Sequence, residues 1–145
     1  MNRQHTKSST NVSWLQVFFA VAACSWVPHW ACHYYRLETG SSFVVGNWEF
    51  TRVDSVISMV VYSALIGFNL AAISLASVRF WAALTSGLGH SLLGGLHIFR
   101  LLRPFRFEVF GYPWSSRASI REAAVVLPFG ILCLCVAWYV RRVEA

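Results

Sequence analysis

Four apolar runs, each about twenty residues long and almost free of Asp, Glu, Lys and Arg, constrain this chain more than any other feature. At about 1.5 Å of rise per residue, a helix made from any one of them covers the ~30 Å hydrocarbon core of a bilayer. The charged residues collect between the runs. They are only 12% of the chain, against 57% for the apolar set, whereas a soluble domain carries about 25% and needs it to cover its surface. A water-soluble globule is excluded, and the fold class expected is an all-α integral membrane protein. It is a four-helix transmembrane bundle, multi-pass, forming a single transmembrane domain over residues 1–145.

The spans are read at about 14–35, 55–76, 79–102 and 119–140, after a polar, flexible tail at 1–12. Val21-Ala22-Ala23-Cys24 looks like a lipoprotein cleavage site. A lipoprotein would continue with a polar tether, but Ser25 to Tyr35 stays aromatic and apolar, so the span is read straight through. Asp54 is placed to cap the second span, and Ser119 with Glu122 three residues on suggests a capping box for the fourth. Spans two and three are joined by so short a turn that they must be antiparallel neighbours. Loops 1 and 3 form a small interfacial cap, in which Gly46-Asn47 between β-formers suggests a hairpin. Arg106 and its aromatic neighbours suit headgroup depth. No internal repeat is evident.

The net charge is +6. These arginines border apolar spans, where they meet lipid headgroups, and nucleic acid is not an expected partner. The four cysteines lie inside apolar stretches without the spacing of a disulfide framework.

Polar chemistry collects at histidine. Four of the five histidines sit inside the spans, where ionisable groups are costly and mark functional candidates. His29 and His33 share one helix face a turn apart, and His90 and His97 share a face of the third span, with Gly94 between them. Counting along the spans brings His29, His33 and His97 to a similar level, on the side of Glu38, Asp54 and Arg100. Three chemistries fit. A b-type haem would take His29 or His33 with His90 or His97, Gly94 for close approach and Arg100 for the propionates. A metal ion would recruit Glu38 or Asp54 beside the imidazoles. A pocket for a lipophilic small molecule such as a quinone, sterol or isoprenoid would use His29, His33 and His97 for proton transfer, with Glu38 or Asp54 adjusting them. Against these stands interfacial or packing duty for the same rings.

Ala83, Gly87, Ser91 and Gly95 recur every four residues, a small-residue ridge for close helix approach to span two or to a membrane-protein partner. The functional expectation is a small membrane protein holding a lipophilic substrate or redox cofactor at a His-rich interfacial site. The alternative is a non-catalytic subunit of a larger membrane complex, docked through that ridge.

Overall fold

The computed structural model describes residues 13–143, and the polar tail read at 1–12 lies outside them. Four long helices dominate it: α1 (Trp14–Thr39), α2 (Arg52–Ser74), α3 (Ala76–Leu102) and α4 (Ser116–Val143). Helices α1, α2 and α4 are long and apolar enough to cross a membrane, in keeping with a multi-pass protein. Helix α3 is as long, but its glycines, serines and histidines lower its mean hydropathy below theirs. The packing is inside out. Small and polar residues such as Ala22, Ala82, Ser55 and Ser86 are fully enclosed, whereas Leu92, Val125 and Val60 stand outside at 75%, 68% and 64% exposure. Such an exterior calls for apolar surroundings.

The helix starts are set by side chains that satisfy the orphan amides of the first turn. Ser13 accepts from Leu15 N while the Gln16 side chain reaches back to Ser13 N. Two expected caps move. Helix α2 begins three residues before Ser55, because Thr51 is its cap and Asp54 is the reciprocal partner at the third position. Helix α4 begins before Ser119, because the Ser115 hydroxyl accepts from Ala118 N. Between α2 and α3 the chain breaks only at Leu75, and Arg79 Nε folds back onto Ala72 O at 3.0 Å.

The cap is a β-sheet, which the sequence revealed only in part. Strands β1 (Phe43–Val45) and β2 (Trp48–Glu49) form the expected hairpin, with Gly46 in its turn at φ +63°. Strands β3 (Phe107–Val109) and β4 (Tyr112–Pro113) form a second one, turning at Phe110 and Gly111, both with positive φ. All four join in the antiparallel order β2-β1-β3-β4, with Val44 opposite Glu108 at the centre.

The expectation of no internal repeat is overturned. Phe43 to Phe107, Trp48 to Tyr112 and Arg52 to Ser116 are each 64 positions apart, and α3 follows α1 within two residues of that offset, so the order of elements in the first half recurs in the second. The β1–β3 register maps onto itself under the same shift, which relates the two helix–hairpin–helix halves by a two-fold axis through the sheet centre. The repeat escapes the eye because most exposed and packing positions differ between the halves. What persists is His33-x-x-Arg36-Leu37 against His97-x-x-Arg100-Leu101, then Phe43 and Val45 against Phe107 and Val109, and Ser55 against Ser119.

The halves pack differently within themselves. A Cβ on Gly87 would lie 2.7 Å from Leu134, and one on Gly130 2.7 Å from the Ser91 backbone, so α3 and α4 touch along glycine. The small-residue ridge is therefore covered by α4 at Gly87 and Ser91 rather than by α2, while Gly95 has open space. In the first half the residues matching Gly87 and Gly130 are Ala23 and Ile66, and α1 and α2 have no such glycine contact.

Candidate functional site

Arg36, at the last turn of α1, has only 8% of its surface exposed and, among the described residues, no carboxylate bonded to it. Its guanidinium instead donates to Thr51 O at 2.9 Å, to Ser55 Oγ at 2.6 Å and to Phe50 O, tying the end of α1 to the start of α2. Arg100 repeats this in the second half: Ser119 Oγ at 2.6 Å, Ser115 O at 3.4 Å, Trp114 O, and additionally Phe105 O at 3.3 Å. Carbonyl and hydroxyl oxygens take the hydrogens of both terminal nitrogens of Arg36 without an ion pair, while its buried Nε has no partner among the described residues.

One turn below each arginine lies a histidine. His33 Nδ1 and His97 Nδ1 each sit 3.3 Å from the same serine oxygen, Ser55 and Ser119 respectively. A guanidinium can only donate, so each serine oxygen accepts from arginine and has its own hydrogen to give to imidazole Nδ1. When that hydrogen goes to Nδ1, Nε2 of a neutral His33 or His97 carries the proton. Phe43 and Phe107 lie between the two rings, with ring centroids 5.5 Å from His33, 5.9 Å from each other and 5.5 Å from His97.

His90 has the opposite polarity. Its Nδ1 lies 2.8 Å from Ser86 O, a group that cannot donate, so Nδ1 bears the hydrogen and Nε2 a lone pair. The residue is 2% exposed, and Nε2 is buried with no partner among the described residues. Trp26 packs on this ring at 4.0 Å, and Phe129 meets it edge-on at 5.0 Å.

All four histidines of the long helices line one cavity of about 1210 Å³ beneath the sheet, bounded by α1, α3 and α4 and touched by α2 only through Ser58 and Tyr62. His29 stacks on Tyr62 at 5.7 Å and stands close enough to His97 for the charge of one to act on the other. The remaining walls are nearly all apolar, as expected of a site that buries a lipid-like molecule.

Several expected site residues lie elsewhere. Glu38 is exposed at the end of α1, and the Asp54 carboxylate is taken by Thr51, so neither reaches the histidines. The acid that does line the cavity is Glu122, one turn past Ser119 on α4. Spacing alone had suggested it as a capping partner. Gly94 faces α4, where a Cβ would come within 2.8 Å of Leu127, and Arg100 is engaged with carbonyls; neither is placed for the porphyrin roles expected of it. Among the described residues no three His, Cys, Asp or Glu side chains converge to hold an ion. Tyr62 and the Arg–Ser–His arrangement were also missed, although the paired His-x-x-Arg-Leu segments, each followed by a serine 22 positions after the histidine, would have signalled the latter. The chain matches no protein-family model, no curated protein and no solved structure.

Proposed function

We propose that this chain is a four-span membrane protein that takes a lipophilic molecule into the cavity beneath its sheet and exchanges protons with that molecule's polar head. Helix α3 is read as the fourth span because it is the repeat of α1, parallel to it, and has no charged residue between Phe80 and Phe99. Its polar side chains face inward: Ser86 and His90 are buried, whereas Leu92 and Trp81 face outward.

One observation carries the functional reading. Four imidazoles, two phenols and one carboxylate line a single large cavity whose walls are otherwise mostly apolar. Histidine transfers protons near neutral pH, and His97 on α3 and Glu122 on α4 both line the cavity as a base and an acid. Their work is proton exchange with a bound head group, while Phe43, Phe107 and the rest of the sheet separate that head from water.

Purified protein in lipid nanodiscs, extracted and analysed by mass spectrometry beside Val126→Trp, tests this. The expected result is a lipophilic molecule enriched over the nanodisc lipids in the parent and absent from the filled variant. Equal recovery from both would overturn the reading. A Soret band in the optical spectrum would replace it with haem binding.

A further inference from the structure

The two-fold repeat provides an internal control for the cavity. The Trp26 indole lies across the axis, its Nε1 3.2 Å from Ser86 Oγ, its ring stacked on Tyr62 at 5.7 Å and so close to Gly89 that a Cβ there would approach to 2.7 Å. Together Trp26 and Tyr62 fill the first half-site. What remains there is a shallow groove of about 540 Å³ outside α2 and α3, lined by Val61, Leu65 and Phe68. The residues 64 positions on are Val125, Phe129 and Leu132, and they line the large cavity. In that half Trp26 and Tyr62 are matched by His90 and Val126, and the space stays open. Where the first half has Ser58, the second has Glu122.

The open half-site also reaches the side of the bundle. Helices α1 and α4 meet through Trp14–Tyr139 and Phe18–Phe129, at the end far from the sheet, and have few close backbone approaches elsewhere. Nearer the sheet, cavity-lining residues are exposed on both helices: Val21, Pro28 and Tyr35 on α1, and Val125, Pro128 and Leu132 on α4. An apolar rim on this flank opens toward lipid tails rather than toward water.

Resting on the lipophilic-cavity reading, we infer that the molecule enters sideways between α1 and α4 and seats a hydrogen-bond-donating head, a phenol or alcohol hydroxyl, on His90 Nε2, its chain trailing out past Pro28 and Pro128. A buried imidazole lone pair without a partner costs stability that a hydroxyl donor restores. An ether or an ester of the same shape leaves it unmet.

The test uses the full chain in nanodiscs and a matched pair of probes, 4-dodecylphenol and 4-dodecylanisole, followed by quenching of tryptophan fluorescence. The phenol is expected to bind about tenfold tighter, the factor that one well-made hydrogen bond supplies. His90→Phe should keep anisole binding and bring the phenol down to it, with His90→Leu as the second variant should the first fail to fold. A phenol carrying a diazirine at its chain end should crosslink to α1 and α4 on the flank named above. Equal binding of the two probes by the parent protein overturns the donor head and leaves the cavity reading standing. Binding of neither overturns both. A phenol preference that survives in His90→Phe overturns the assignment to His90, and crosslinks confined to α2 overturn the route.

Discussion

In the N-terminal half Trp26 and Tyr62 stack into the space between the helices; in the C-terminal half the matching His90 and Val126 leave that space empty. Above this difference the halves agree. Arg36, Ser55 and His33 repeat as Arg100, Ser119 and His97 at near-equal distances. An arrangement kept in both the filled and the open half serves architecture first: it ties helix ends to hairpins and fixes two imidazoles under the sheet. The positions where the halves part, His29 against Leu93, Trp26 against His90 and Ser58 against Glu122, are where a specific task is to be sought.

The comparison is broken most directly at Trp26. Trp26→Ala removes a fully enclosed ring and should cost about 3–5 kcal/mol, whereas His90→Ala, beside an existing cavity, should cost well under half of that. Unfolding by a denaturing-detergent titration, followed by circular dichroism, measures both, and equal losses would mean that the halves are packed alike. Next come the arginines. Arg36→Met leaves Phe50 O and Thr51 O without their donor and should cost about 3 kcal/mol. Arg100→Met should cost less by about 1 kcal/mol, since Arg100 is less buried and water replaces part of what is lost. The reverse order in the same titration would show that burial does not set the difference.

Glycine separates the halves more gently. Gly130→Ala drives a methyl into the Ser91 backbone and should destabilise by about 1–3 kcal/mol, while Gly67→Ala on α2, with open space around it, should change stability by no more than about 1 kcal/mol, and favourably. Thermal denaturation in one detergent ranks the two. The smallest effect is in the second hairpin. Arg106 Nε lies 2.8 Å from Glu108, and that contact holds the Glu108 carboxyl below its ordinary value of 4.5. A depressed carboxylate stabilises the fold above its ordinary value and loses that contribution as pH falls through the lowered one. Both groups are near water, so the gain is slight. Amide chemical shifts at β3 and β4 should move together as pH falls below 4.5, since Glu108 sits at the centre of β3 and pairs with Pro113 of β4. Arg106→Gln should return the midpoint to its ordinary place.

Long apolar helices and the first hairpin were legible because they depend on local patterns: uncharged runs, and a glycine between β-formers. The second hairpin was not, since Phe105 to Trp114 mixes arginine, glutamate and proline among its aromatics, and its strands exist through pairing with β1. The histidines stood out as a group by the rarity of ionisable residues within apolar runs, and the fold brings them to one cavity. The acids did not, because Glu38, Asp54 and Glu122 look equivalent in sequence, and only helix facing decides that Glu122 alone enters the cavity. Gly94 was read toward a ligand and faces α4 for the same reason.

The seam between β1 and β3 has a meaning for how such a chain is assembled. Because α1 and α3 run the same way, a protein of half this length would insert in a single orientation, and two copies would join β1 to β1 across the axis where Val44 now meets Glu108. The present chain has the form of that dimer joined end to start, with Leu75 as the joint. Separately encoded halves, cut at Leu75, should still find one another. A joined pair need not be identical as two copies must, and here one half is plugged by Trp26 and Tyr62 while the other stands open.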